Sequence, residues 1–202
     1  MHEMRYSGDS FLRLENMVEI AKRRGLDGIC ITDHDSMGLK EFAAEYSEKT
    51  GFPIFVGIEF YSLQGDIVAF GIEDYPKERI PAQEFVDLVQ AQGGMCFNAH
   101  PFRNNNRGLE ENLIVKGLDG IEVLNGSTLY EANRKAAEYA AELGIATVGS
   151  SDCHVPEKLG LYATYFPREI RSVQELIRSV KRCETLPVYY KEGGYYLWDM
   201  KN

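Results

Sequence analysis

Three of the four histidines in this sequence stand close to carboxylates, in a pattern that suits metal binding. In chain order the four histidines are His2, His34, His100 and His154. Asp33 and Asp35 bracket His34, and Asp152 precedes His154 by two positions. Imidazole nitrogen combined with carboxylate oxygen is the ligand set of Zn²⁺, Mn²⁺ and Fe²⁺ sites. These residue types therefore predict a site for divalent cations, provided that the fold brings them together.

Most of these residues come at the end of short apolar runs. The runs are residues 28–32, 53–58, 95–99 and 145–149. Glu59 ends the second run directly. Apolar runs of this length suit buried parallel strands, and barrels and open α/β sheets place their chemistry at the C-terminal ends of such strands. Scattered structural histidines would have no reason to favour one edge of a sheet, so we expect a common site at its mouth.

Helical patterns alternate with the strand patterns along the whole chain. Ser10 is predicted to cap the first helix, with Phe11 on its apolar face and Gly25 after its end. Further helices are predicted over residues 39–49, 81–92, 129–143 and 172–181, and further strands over residues 65–71, 120–125 and 162–166, with a C-terminal hairpin over residues 188–198. This alternation predicts βαβ units and a mainly parallel sheet, within one α/β domain over residues 1–202.

Composition and net charge limit the classes of partner and the cellular compartment that we expect for this chain. The 202 residues are 44% hydrophobic and carry a formal net charge of −9, which disfavours a long nucleic-acid partner because phosphate binding needs a basic surface. No apolar run is long enough to span a bilayer, so no membrane partner is expected. The four cysteines form no CxxC pair, which favours a reducing, cytoplasmic compartment. The oligomeric state stays open.

Six short motifs, taken together and in order, resemble those of the PHP family, the polymerase-and-histidinol-phosphatase metallohydrolases. They are Tyr-Ser-Gly-Asp-Ser at 6–10, Thr-Asp-His-Asp at 32–35, Gly-Ile-Glu at 57–59, Ala-His-Pro at 99–101, Gly-Ile-Glu-Val at 120–123 and Ser-Asp-Cys-His at 151–154. The resemblance implies a distorted (β/α)7 barrel with its metal site at the C-terminal mouth. Only Met1 precedes His2, so the first strand is expected to be missing; either the chain is natively short or a leading strand lies outside this sequence.

The same resemblance implies roles for individual residues. The implied metal ligands are His2, Asp9, His34, Glu59, His100, Asp152 and His154. Glu59 resembles the bridging carboxylate, and His2 resembles the second histidine of an HxH motif whose first histidine is absent. Asp66, or nothing, stands where some members have a further histidine for the second ion. We therefore expect two or three divalent ions of Zn, Mn or Fe per chain, two being the safer number.

Simpler interpretations remain open for several of these residues. Asp9 could be an acidic residue favoured near a helix N-terminus, and His100 could be a core imidazole bonded to the backbone. Glu122 and Asn125 could orient ligands or could be plain polar strand ends. Arg103 could bind a substrate phosphate through its planar guanidinium, or it could be an ordinary surface arginine.

The sequence thus predicts a metal-dependent phosphoesterase that hydrolyses a small phosphomonoester or short nucleotide with a metal-activated hydroxide. Arg103 and Asp152 are the predicted catalytic residues, and Cys153 is expected to be positional. One alternative is a non-catalytic PHP-like domain that binds metal or a partner, which the missing histidine of HxH motivates. Another is an amidohydrolase-type barrel; that class often uses a carboxylated lysine, and no lysine ends a strand that carries the motifs.

Overall fold

A computed structural model describes residues 1–108 and 114–199 of the chain. The helices are α1 (Leu14–Arg23), α2 (Lys40–Thr50), α3 (Ala82–Ala91), α4 (Tyr130–Leu143) and α5 (Val173–Lys181). The strands are β1 (Ile29–His34), β2 (Ile54–Ser62), β3 (Gly65–Phe70), β4 (Met95–Asn98), β5 (Gly120–Asn125), β6 (Ala146–Ser150), β7 (Tyr162–Tyr165), β8 (Leu186–Lys191) and β9 (Gly194–Leu197). A single 3₁₀ turn, Pro156–Lys158, connects β6 to β7.

Strands β1 to β6 form one sheet in chain order. β1 pairs with β2 in parallel, and β4, β5 and β6 continue in parallel, whereas β3 is antiparallel to both of its neighbours. The sheet is curled into a half-barrel. The predicted α/β barrel architecture is confirmed in the form of this six-stranded half-barrel, and the C-terminal ends of β1, β2, β4, β5 and β6 meet at one mouth.

The first three residues lie between β1 and the chain that follows β6. The amide of Thr32 donates to the carbonyl of Met1 at 2.9 Å, and the amide of His2 donates to the carbonyl of Cys153 at 3.3 Å. The amide of Glu3 also donates to the Asp33 carboxylate at 2.6 Å. These residues are not in regular strand conformation, but their hydrogen bonds hold His2 at the mouth of the half-barrel.

A second, antiparallel sheet contains β7, β8 and β9. The predicted strand over residues 162–166 is present as β7, and it pairs with β8 rather than extending the larger sheet. The predicted C-terminal hairpin is present: Glu192 and Gly193 both have positive φ, at 51° and 88°, which is what a tight two-residue hairpin turn requires. This sheet packs beside β6, where the amide of Gly149 donates to the hydroxyl of Thr164 at 3.0 Å.

Helix α1 illustrates how the core is built on the outside of the sheet. Its buried residues are Leu14, Met17, Val18 and Ala21, spaced as one face of a helix, and they pack with the β1 residues Ile29 and Ile31. The helix begins later than predicted. Phe11 is 72% exposed, and Ser10 does not cap the helix, because Arg13 occupies the N-cap position; the Ser10 hydroxyl instead donates to the carbonyl of His2 at 2.7 Å and accepts from the amide of Leu12 at 3.2 Å.

None of the helices in the described ranges is both long enough and apolar enough to cross a bilayer.

Candidate metal centre

The mouth of the half-barrel gathers imidazoles and carboxylates into three overlapping groups. The groups are His2–His34–His154, His2–Glu59–Asp152 and Glu59–Asp66–His100, and within each group the potential ligand atoms lie within 4.8 Å of one another. Asp9 adjoins the first group, with its Oδ2 3.4 Å from Nε2 of both His34 and His154. All seven residues predicted as ligands are thus brought together, and Asp66 joins them.

Strand register explains how residues far apart in sequence meet here. His34, the last residue of β1, and Glu59, which lies within β2, are direct partners in the parallel register of these two strands. His100 follows the end of β4, and Asp152 follows the end of β6. Both have positive φ, at 34° and 42°, a conformation that is uncommon for residues other than glycine and that often marks functional sites. The chain bends there so that each side chain enters the mouth.

Glu59 lies at the centre of the cluster and is only 4% exposed. Its carboxylate lies 2.7 Å from Nδ1 of His34, 3.2 Å from Nε2 of His100 and 3.7 Å from Nε2 of His2. Burial alone would raise the pKa of Glu59, but the hydrogen bonds from His100 and His34 hold this pKa well below its usual range. The carboxylate is therefore ionised and surrounded by imidazoles from three separate segments.

The imidazoles of His2, His34 and His154 stack on one another. The ring of His2 lies 4.2 Å from that of His34 and 4.3 Å from that of His154, centroid to centroid. Burial lowers the pKa of His2 to about 4, against the opposing effect of its contact with Asp152. A neutral imidazole offers a lone pair to a cation, so His2 is in the protonation state that a metal ligand requires.

Asp152 and Arg103 form a buried ion pair on one side of the cluster. Nη2 of Arg103 donates both to the Asp152 carboxylate and to Oδ1 of Asn125, the latter at 2.7 Å, and its Nε donates to the hydroxyl of Thr128 at 3.0 Å. Burial opposes ionisation of Asp152, but the hydrogen bond from His2 and the charge of Arg103 hold the pKa of Asp152 well below its usual range. Arg103 therefore contacts a predicted ligand rather than lying on the open surface.

Asp66 and Arg107 form a second ion pair on the opposite side. Nε of Arg107 donates to Oδ2 of Asp66 at 2.7 Å, and this oxygen lies 3.6 Å from Nε2 of His100. Burial and the nearby charge of Glu59 raise the pKa of Asp66 to about 7 in spite of Arg107. No local sequence motif marks Arg107, because its partners lie 41 and 73 positions away in the chain.

Two residues behind the cluster orient the backbone that carries it. Glu122 is buried and accepts from the amide of His100 at 2.9 Å and from the amide group of Asn125 at 2.8 Å, while Ser150 donates to its other oxygen. Asn125 in turn donates to Asp152 at 3.2 Å. Of the two roles left open for Glu122 and Asn125, these contacts favour the orientation of ligands.

The acids that bracket His34 in the sequence do not belong to the three groups. Asp33 turns away from the mouth, where it accepts from the amide of Glu3 at 2.6 Å and from the hydroxyl of Ser7 at 2.8 Å. Asp35 accepts from the amide of Tyr61 at 2.7 Å. Both residues hold the ends of strands in place, so only His34 of this triplet offers a ligand atom.

The donor set fits divalent cations on two observations. Nε2 of His154 is buried and has no hydrogen-bond partner among the described residues, although it faces the rings of His2 and His34 and the carboxylate of Asp9. The buried carboxylates of Glu59, Asp66 and Asp152 also lie close together, and buried carboxylates need cations. Zinc, manganese and iron all accept mixed imidazole and carboxylate ligands, so the residues present suit any of them.

Comparison with known proteins supplies a family and a fold. Residues 130–185, which include Asp152 and His154, match the family model described as PHP-associated. An uncharacterized protein of Methanocaldococcus jannaschii is 28% identical over 118 residues, which cover 58% of this chain and 68% of that protein.

Solved structures share the fold at low sequence identity. A protein of Bifidobacterium adolescentis proposed to be a metal-dependent phosphoesterase superposes with a TM-score of 0.67 and 19% identity, over 89% of this chain and 93% of that one. The lesion-specific endonuclease Q of Pyrococcus furiosus superposes with a TM-score of 0.67 and 16% identity, over 98% of this chain. This chain spans only 56% of the endonuclease.

The expectation that long nucleic acid is excluded as a partner is wrong. Endonuclease Q, with a TM-score of 0.64 and 15% identity over 90% of this chain and 55% of that one, has been solved with a 27-mer duplex substrate whose abasic lesion lies at the active site. The net charge of −9 averages over the whole chain. It does not describe the field at the mouth, where Arg103 and Arg107 lie and where bound divalent cations would add positive charge.

The PHP-associated segment over residues 130–185 and the fold shared with these structures confirm the resemblance to the PHP family that the six motifs carry.

Proposed function

We propose that this protein is a metal-dependent phosphoesterase whose substrate is a small phosphomonoester or a short nucleotide. The observation that carries this proposal is the position of Glu59, whose carboxylate contacts imidazoles from three separate segments at the mouth of the half-barrel. Clustered divalent sites that share a carboxylate are a recurrent arrangement for phosphate-ester hydrolysis. The resemblance to the PHP family and the PHP-associated segment support the same chemistry. We take residues 1–202 as one catalytic domain.

Three groups of side chains would hold the ions. The candidate positions are His2 with Asp152, His100 with Asp66, and Asp9 with His34 and His154, and Glu59 adjoins the first two; we expect two or three of these positions to be filled. When bound, divalent cations supply an activated water near neutral pH and neutralise charge that develops on the phosphate. The depressed pKa values of Glu59 and Asp152 keep both carboxylates ionised and available as ligands at neutral pH.

In addition to its contact with Asp152, Arg103 would bind the phosphate of the substrate. Its Nη2 already donates to two acceptors, the Asp152 carboxylate and the side chain of Asn125, and its side chain is 19% exposed. A guanidinium held in this way is preorganised to bind non-bridging phosphate oxygens. Arg103 would thereby bind the phosphate while fixing the carboxylate of Asp152.

The proposal needs no protein nucleophile. Cys153 is fully buried, and burial raises the pKa of its thiol to about 11. A neutral, inaccessible thiol is a poor nucleophile. The position of Cys153 between two ligands therefore agrees with the positional role that we expect for it.

The test measures hydrolysis by protein that has been stripped of metal with a chelator and then reconstituted with Mn²⁺, Zn²⁺ or Fe²⁺. The substrates are an aryl phosphate, a short oligonucleotide and a DNA duplex with an abasic site. We expect metal-dependent turnover of the first two, and a loss of at least about 100-fold in Glu59→Gln, because even residues outside the direct ligand set contribute 10–100-fold at metal sites. Glu45→Gln, an exposed residue of α2, is the matched control.

Each outcome has a defined meaning. Cleavage of the duplex alone would show that the substrate class is wrong and that the chain acts as a nuclease. Full metal occupancy without turnover on any of the three substrates would favour the non-catalytic alternative. Activity that survives both chelation and Glu59→Gln would exclude the proposed metal centre as its source.

A further inference from the structure

Arg107 places a permanent positive charge inside the cluster of predicted ligands. Its Nε donates to Asp66 at 2.7 Å, and its Nη2 lies 3.1 Å from Nδ1 of His34 and 3.9 Å from the carboxylate of Glu59. The guanidinium thus contacts residues of all three candidate groups, because His34 belongs to the first, Glu59 to the second and third, and Asp66 to the third alone. Asp66 and Glu59 are two of the three side chains of the Glu59–Asp66–His100 group.

The structure holds Arg107 in this position from several sides. Its carbonyl accepts from the amide of Asp66 at 2.8 Å, and its amide donates to the side chain of Asn105 at 3.0 Å. Its guanidinium lies 4.5 Å from the centre of the Tyr61 ring, within the range of a cation–π contact. The side chain is therefore ordered before any ion binds, and it need not be recruited from solvent.

The guanidinium of Arg107 and a divalent cation would compete for the Glu59–Asp66–His100 group. Both need the carboxylates of Asp66 and Glu59, and like charges this close repel one another strongly in a buried environment. Oδ2 of Asp66 already accepts a charge-assisted hydrogen bond. An ion at Glu59–Asp66–His100 would have to displace Arg107 or to bind beside it.

We propose that Arg107 is a resident cation that replaces one divalent ion, so that the Glu59–Asp66–His100 group of this chain holds no tightly bound metal. The other two groups, which share His2, keep their ions. This inference rests on the proposed metal-dependent function, and it fixes the number of tightly bound ions at two. Arg107 is then a positioning residue that acts through Asp66 and Glu59.

The test is the number of tightly bound Mn²⁺ ions per chain, measured by calorimetric titration of the chelated protein and by elemental analysis after gel filtration. We expect two equivalents in the native chain and three in Arg107→Gln. Arg107→Lys, which keeps a charge there, should stay at two. The matched control is Arg79→Gln: Arg79 stacks on the same Tyr61 ring at 3.7 Å, but it donates to the carbonyls of Tyr61 and Ser62.

A second variant keeps the inference testable if Arg107→Gln does not fold. Asp66→Asn should leave the native number of two unchanged, because the group holds no ion to lose. The inference is overturned if Arg107→Gln binds two ions or fewer, if Asp66→Asn loses an ion, or if the native chain binds three. A native chain that binds no ion would instead overturn the proposed function.

Discussion

Nδ1 of His34 lies 2.7 Å from the carboxylate of Glu59, and the two residues are direct partners in the register of β1 and β2. Parallel strands carry the two side chains to the same edge of the sheet at the same height. Glu59 pairs with Val68 of β3 on its other side. The centre of the cluster is therefore built into the sheet, and its geometry depends on strand register more than on loop conformation.

Binding of metal ions should stabilise the folded chain measurably. A ligand that binds only the native state adds about 2.7 kcal/mol to the free energy of unfolding when its concentration is 100 times its Kd. We expect Mn²⁺ to raise the Tm of the chelated protein and Glu59→Gln to abolish most of this rise. Glu45→Gln should respond like the native protein. An unchanged Tm of the native chain across a full Mn²⁺ titration would contradict the prediction.

Ser7→Ala should destabilise the chain in a pH-dependent way. The hydroxyl of Ser7 donates to Asp33 at 2.8 Å and accepts from the amide of His34 at 3.3 Å. Asp33 is 1% exposed, and its burial raises its pKa although the hydrogen bonds from Glu3 and Ser7 oppose the rise. Removal of a hydrogen bond to a buried group costs about 1–3 kcal/mol.

The sign of this pH dependence follows from linkage. Asp33 has a folded pKa above its unfolded value, so its contribution is fully present below the unfolded pKa and is lost as the pH rises through the folded pKa. Without Ser7 the folded pKa rises further. The loss of Tm in Ser7→Ala, measured in chelator, should therefore be larger at pH 7 than at pH 4. Ser47→Ala removes a hydrogen bond to the neutral carbonyl of Phe52, so its effect should not follow this trend.

Much of the site could be predicted from the sequence because its residues follow apolar strands. His34, Glu59, His100 and Asp152 each end or follow a run whose period indicates a strand, and parallel strands place such ends at one edge. The separate sheet of β7 did not follow from the pattern. Pairing direction depends on connections and tertiary packing, which local periodicity does not encode.

The residues that were missed act through contacts between distant segments. Arg107 meets Asp66 and His34 across 41 and 73 positions, and no local motif marks it. Ser10 shows the reverse error, since its spacing suits a helix cap, but its hydroxyl donates to the carbonyl of His2 instead. Of the acids beside His34, Asp33 precedes it in an extended strand, which sends neighbouring side chains to opposite faces, and Asp35 lies past the strand end with a positive φ of 49°.

Loss of Arg103 should impair catalysis without loss of the fold. Arg103→Gln removes the charge beside Asp152 and leaves the acceptors on Asn125 and Thr128 with weaker partners. We expect kcat/KM for an aryl phosphate to fall about 10–100-fold, as for other residues that support metal ligands. Arg103→Lys should recover part of this loss, because lysine keeps the charge without the planar fork. Arg171→Gln, in an exposed pair with Glu169, is the control, and activity of Arg103→Gln within twofold of this control would contradict a role at the site.

The four cysteines should differ sharply in their reactivity toward maleimide or an aromatic disulfide. Cys183 is exposed, whereas burial raises the pKa of Cys30 and Cys153 to about 11 and that of Cys96 to about 12. A thiol with a pKa near 11 is a thiolate in only about one molecule in a thousand at pH 8, and the thiolate is the reactive form. We therefore expect one thiol per chain to react rapidly at pH 8 and all four thiols to react rapidly in denaturant. Cys183→Ser should remove the rapidly reacting thiol. Peptide mapping would locate the labelled residues, and labelling of Cys153 as fast as that of Cys183 would show that the segment between Asp152 and His154 opens to solvent.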